Sequence, residues 1–185
     1  FLQERIPVDP AKMHAGLNER IPRHLKTYWF CLGGTPLLLL LVQVVTGIVL
    51  TFHFRADSAQ AYESVRRINE DVPYGWWIRS IHHWAAHLMI LSVFLHMVRV
   101  FVTGAYRKPR ELNWIIGVVM LAVILAFALT GNLLPWDQKG YWATKVATVI
   151  AVTSPILGTE LQAGIQGGNE YGNLTLTRFY AIHVF

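Results

Sequence analysis

The stretch Tyr74–Thr103, YGWWIRSIHHWAAHLMILSVFLHMVRVFVT, constrains this chain more than any other. It is apolar and long enough to cross a bilayer as a helix, yet it carries His82, His83, His87 and His96. An imidazole inside a membrane gives up hydration, so it needs another polar group, a metal or a cofactor as its partner. His82 and His96 stand fourteen residues apart. At about 100° and 1.5 Å per residue they return to within roughly 40° of one face and lie roughly 21 Å apart. Two cofactors stacked across one membrane fit that register. Core histidines satisfied by neighbouring helices are the plainer reading, and spacing does not choose among the four.

Composition agrees with a membrane setting: 54% hydrophobic and 15% charged residues in a chain of one domain's length are too apolar for a soluble globule. The net charge of +5 does not signal nucleic acid. The basic residues gather at the ends of apolar runs, as topology signals do, rather than along an aromatic-interleaved face. A single cysteine, Cys31, excludes an intrachain disulfide and any Cys-x-x-Cys site.

In chain order, residues 1–27 mix Glu4, Arg5, Lys12, Arg20, Arg23 and Lys26 with apolar positions and three prolines. The expectation is a surface arm, helical on the headgroups or solvated. Residues 28–185 form the transmembrane domain. Tyr28–Phe54 reads as the first span, Tyr74–Thr103 as the second and Trp114–Leu134 as the third, ended by Pro135. Arg55–Pro73 reads as a mixed-charge loop, Tyr141–Val152 as an amphipathic interfacial segment, and the glycine-containing Gly158–Asn173 as a loop. A fourth helix starts at Thr175 and carries His183.

Two glycine pairs repeat the fourteen-residue register, Gly33 with Gly47 and Gly117 with Gly131. An interior glycine costs a helix about 1 kcal/mol relative to alanine, so the pairs imply close approach, either of a flat macrocycle or of another helix.

Loop charge orients the bundle. The arm and the loop YRKPRELN (Tyr106–Asn113) are basic, whereas the acids collect after the first and third spans, so the basic side faces cytoplasm, matrix or stroma. His82 then lies near the opposite, positive side and His96 near the negative side. The fourth helix begins on the positive side too, which brings His183 to the depth of His82. One haem between those imidazoles follows, and the sixth ligand for a haem at His96 is expected about fourteen residues beyond His183. The expected fold is all-α, an up-and-down transmembrane four-helix bundle binding haems between helices, with its fourth helix incomplete in this chain.

Six motifs in order carry a resemblance: FCLGG at 30–34, LVQVVTG at 41–47, GWWIRSIHHW at 75–84, LHMVRVFVTGAYRKPRELNW at 95–114, LPWDQKGYWATK at 134–145 and TLTRFYAIH at 175–183. The chain resembles the cytochrome b family, in its b6 rather than its bc1 wording, from about Pro22 onward. The resemblance implies an electron-transfer core of a b6f- or bc-type quinol oxidoreductase, an enzyme only within its complex. It implies a positive-side b-type haem on His82 and His183, and a negative-side one on His96 and a later ligand. His83 and His87 match non-ligand positions. Arg79 and Arg99 match residues near haem propionates, and Gln43 matches a glutamine near the positive-side haem. Gly33, Gly47, Gly117 and Gly131 become haem-contacting positions.

In the b6 type the cysteine matching Cys31 carries a third, c-type haem through one thioether, in place of the small buried hydrophobe that a lone cysteine usually is. The segment Gly140–Thr148 matches the wall of a quinol pocket, with Tyr141, Ala143, Val146 and Ala147 as the expected contacts. The implied cycle oxidises quinol on the positive side, sends one electron to a Rieske iron–sulfur protein and onward to a c-type cytochrome or plastocyanin, and sends the other inward to a quinone. A subunit-IV-like chain or a C-terminal continuation completes the pocket in a homodimeric complex, in a bacterial inner or thylakoid membrane in contact with lipid. A di-haem anchor of a quinone-linked dehydrogenase and a scaffold without redox centres are the alternatives. The PWDQ segment and Cys31 speak against the anchor, and a b-type absorbance band separates the scaffold from both.

Overall fold

The computed structural model describes residues 31–153, 158–168 and 170–185. The expected arm, residues 1–27, lies outside the described residues, as does the start of the first expected span. Among the described residues the chain is all helix, without strands: α1 Gly34–Thr51, α2 Ala61–Glu70, α3 Gly75–Val102, α4 Glu111–Leu133, α5 Gln138–Val152, α6 Gly158–Gln166 and α7 Asn173–Val184. Helices α1, α3 and α4, of 18, 28 and 23 residues, are long and apolar enough to cross a membrane. Their outer faces stay bare: Leu37, Leu41, Leu88, Leu91, Ile115 and Val119 are each more than half exposed. In water such a surface is a liability, whereas lipid covers it without cost.

Two loops expected from the sequence are helical. Within Arg55–Pro73, α2 forms because Ala61, Ser64 and Ile68 recur on one face and are buried. On its outer face Arg66 bonds Glu63 and reaches Glu70, pairs that support a helix at these spacings. The Arg66 guanidinium holds the Glu63 carboxyl below its usual range. Within Gly158–Asn173, α6 forms despite its glycines because later residues satisfy its C-terminal carbonyls. Arg178 Nη1 donates to the carbonyls of Ala163 and Gly164, and Thr175 Oγ1 donates to that of Gln166 at 2.6 Å.

The span boundaries shift slightly from those expected, α1 ending at Thr51 and α4 starting at Glu111. The expected interfacial segment is α5. Pro135 breaks α4, Trp136 takes a φ of 53°, and Asp137 Oδ1 caps α5 by accepting the Gly140 N–H at 2.7 Å.

The residues fall into two compact units. One comprises the described residues up to Leu40 with His87–Val123. It is finished by an aromatic stack in which Tyr106 lies 5.7 Å from Phe101 and 5.6 Å from Trp114. The other, Leu41–Ala86 with Ile124–Phe185, holds most of the core: Ala61, Ile68, Leu133, Leu176 and Phe179 are almost wholly buried. There α7 is tied down from several sides. Asn173 Oδ1 accepts the Ser58 N–H at 3.0 Å, and Tyr180 packs 5.4 Å from Phe54.

Candidate functional site: two histidine stations

In the second unit α3 supplies His82 and α7 supplies His183, with ring centres 6.3 Å apart. Both rings are half-buried, and in each the Nδ1 atom is occupied. His183 Nδ1 lies 3.0 Å from the Phe127 carbonyl. A carbonyl oxygen only accepts, so Nδ1 carries the proton and Nε2 keeps its lone pair. His82 Nδ1 lies 2.8 Å from Thr46 Oγ1. That hydroxyl has one proton, directed to the Val42 carbonyl at 2.6 Å, which leaves oxygen lone pairs to accept from His82. Gln43 Nε2 donates to the His82 backbone carbonyl at 2.7 Å and fixes the helix behind the ring.

The two imidazoles are close enough to hold one iron between them. Metal bonds to imidazole nitrogen run to about 2 Å, so two nitrogens sharing an iron lie about 4 Å apart, with ring centres about 2 Å further still. The observed separation matches. A ligating imidazole usually donates a hydrogen bond from the ring nitrogen that does not bind the metal, and both of these rings are placed to do so.

The glycines sit against these rings. A Cβ built at Gly47 would lie 3.3 Å from His82 Cε1, and one at Gly131 would lie 2.6 Å from His183 Cε1. In the first unit Gly33 repeats the arrangement, its built Cβ 3.3 Å from His96 Cε1. At Gly117 a Cβ would meet nothing within 4 Å. Three of the four glycines expected to admit a macrocycle therefore have a histidine ring as near neighbour. His96 Nδ1 is buried without a hydrogen-bond partner among the described residues. Cys31, two residues before Gly33, is exposed with its thiol free. Arg79 and Arg99 are half-buried on α3, and His83 and His87 are exposed there.

The expected quinol-pocket residues all lie on α5, on two faces. At about 100° per residue, Ala143, Val146 and Ala147 share an arc of about 100°, while Tyr141 points with Thr144 and Thr148. Thr144 and Thr148 are buried, the Thr148 and Tyr171 hydroxyls are bonded, and the Tyr141 ring packs 5.9 Å from Tyr171 and 5.8 Å from Trp136. Val146 is 59% exposed. The sequence reading missed Thr46, Thr130 and the Phe127 carbonyl, all of which touch a histidine Nδ1. Their signal was present: a threonine directly precedes both Gly47 and Gly131.

Comparison with known proteins bears on what these stations are. A family model described as cytochrome b/b6/petB matches residues 17–185. Cytochrome b6 of Synechococcus sp. (strain JA-3-3Ab) is 43% identical over 185 residues, 100% of this chain and 85% of that protein. Cytochrome b6 of Prochlorococcus marinus (strain MIT 9515) is 44% identical, over 100% and 84%. Among solved structures, a chain of a hyperthermophilic respiratory Complex III superposes with a TM-score of 0.82 at 29% identity. The match covers 100% of this chain and 49% of that one, so this chain spans about half its length. Kinship and three membrane-length helices make this a multi-pass protein of a bacterial or thylakoid membrane. The chain belongs to the cytochrome b family, the haem-binding core subunits of b6f- and bc-type quinol oxidoreductase complexes.

Proposed function

We propose that this chain carries electrons across the membrane, from a quinol oxidised on the positive side to a quinone on the negative side, with His82 and His183 as the residues that would hold the positive-side haem. The observation that carries the reading is the adjacent pair of rings, 6.3 Å between centres, each with Nδ1 already occupied. A b-type haem supplies the reversible one-electron chemistry that no side chain here offers. The chain's own part is to hold iron-binding nitrogens unprotonated, to keep water away from them, and to space two stations along one helix.

His96 is the negative-side ligand in this reading, backed by Gly33. Gln43, Gly47 and Gly131 position the positive-side pair, Arg79 and Arg99 face propionates, and Gly117 leaves room beside the His96 station. Cys31 holds a c-type haem by a single thioether; its exposed thiol, close in sequence to Gly33, supports this. Ala143, Val146 and Ala147 line the quinol pocket, with Tyr141 behind them. A Rieske iron–sulfur protein takes the other quinol electron and passes it to a c-type cytochrome. A subunit-IV-like chain or a continuation of this one closes the pocket, within a homodimeric complex.

The test is His82→Ala in the assembled complex, followed by reduced-minus-oxidised absorbance. The expected result is loss of the positive-side b band with the His96 band kept. Two intact b bands would overturn the ligand assignment.

A further inference from the structure

Helices α1 and α4 present the same two-residue device to the adjacent rings. Thr46–Gly47 sets a hydroxyl 2.8 Å from His82 Nδ1 and a bare backbone against Cε1 of that ring. Thr130–Gly131 sets a hydroxyl 3.2 Å from His183 Nδ1 and a bare backbone against its Cε1. Both hydroxyl protons are engaged by carbonyls of their own helix, Val42 at 2.6 Å for Thr46 and Ala126 at 2.9 Å for Thr130. Thr46 Oγ1 therefore accepts from His82 Nδ1, and Thr130 Oγ1 shares the His183 Nδ1–H with the Phe127 carbonyl. At the other two glycines in this register the preceding residues are Leu32 and Ile116, which have no hydroxyl to offer.

We propose that Thr46 and Thr130 are positioning residues whose hydroxyl oxygens, set against Nδ1 of His82 and of His183, lower the midpoint potential of the haem those two histidines would hold. This rests on the ligand assignment above. A hydrogen bond from Nδ1–H to an acceptor moves electron density into the ring and makes Nε2 a more basic ligand. A more basic ligand favours the ferric over the ferrous state, so the one-electron reduction becomes harder. The two stations share a ligand type and a glycine register, and they differ in this device.

The experiment is a redox titration of the b-type bands in the assembled complex carrying Thr46→Val, Thr46→Ser or Thr130→Val. Valine keeps the shape and removes the acceptor. Thr46→Val should raise the potential of the positive-side haem by about 59 mV, a tenfold change in a one-electron equilibrium. Thr130→Val should raise it less, because the Phe127 carbonyl still accepts from His183 at 3.0 Å. Thr46→Ser should restore the original value, and the His96 haem should stay put throughout. An unmoved positive-side potential in both valine variants, or equal shifts at both haems, would overturn the proposal. Failure of the ligand assignment would look different, since His82→Ala would then leave both b bands in the unsubstituted background.

Discussion

Replacing Gly131 by alanine separates the demands of the fold from those of ligation. The new methyl carbon would sit 2.6 Å from Cε1 of His183 and 3.1 Å from its Nε2. Carbon atoms rest about 3.5–4.0 Å apart, so the ring must retreat by about 1 Å. A retreat of that size takes Nδ1 out of range of the Phe127 carbonyl and Thr130 Oγ1, now at 3.0 and 3.2 Å. The lost bonds cost about 1–2 kcal/mol, and alanine returns about 1 kcal/mol of helix propensity. The helix therefore barely notices, but a metal bond of about 2 Å does not survive a 1 Å misplacement. The expected outcome is normal membrane insertion, read by immunoblot of the membrane fraction, with the positive-side b band largely lost in a difference spectrum. Gly47→Ala, at 3.3 Å from His82, should lose less, and Gly117→Ala, with nothing within 4 Å, should leave the positive-side band intact. A Gly131→Ala protein with its full b-band amplitude would refute the reasoning, as would equal losses at Gly131 and Gly117.

Two further outcomes are expected. After denaturing electrophoresis the unsubstituted chain should carry a haem-stained band and Cys31→Ser none, because iron–imidazole bonds break on unfolding and a thioether does not; an unstained parent band would return Cys31 to a plain thiol. Thr175→Val should lower stability by about 2–4 kcal/mol, read as earlier thermal loss of the b band. The fully buried Thr175 hydroxyl both donates to the Gln166 carbonyl and accepts the Gly172 N–H at 3.1 Å, and valine leaves both groups unanswered.

The three spans were legible because bilayer thickness imposes a length that composition displays directly. That His82 and His183 come together was legible too, since alternating helices fix depth even between residues far apart in sequence. Helices α2 and α6 were not. In α2 the signal was local but masked by mixed charge: Ala61, Ser64 and Ile68 recur on one face while Glu63, Arg66 and Glu70 pair on the other. In α6 tertiary contacts overrode local composition, because its end is held through Thr175 and Arg178, which come later in the chain. The hydroxyl contacts at Thr46 and Thr130 escaped for another reason, since a threonine in an apolar helix ordinarily bonds its own preceding turn, as both do here. Whether its oxygen also meets an imidazole depends on the rotation of a neighbouring helix, which a single sequence does not state. The same limit hid the turning of Tyr141 away from Ala143, Val146 and Ala147.

The separation of His82 from His183 along the chain also sets a calendar for biogenesis. Roughly a hundred residues of helix and loop must emerge before the second ring exists, and closing so long a loop is entropically slow to nucleate. Until then α1 and α3 can insert and pack, with Gln43 and Thr46 already holding His82 in its ligating tautomer. α7 then docks through Asn173, Thr175 and Tyr180. A half-built station of this kind is preset on one side and open on the other until α7 arrives. Cofactor loading would therefore be timed by the last helix to arrive rather than by the first histidine to be made.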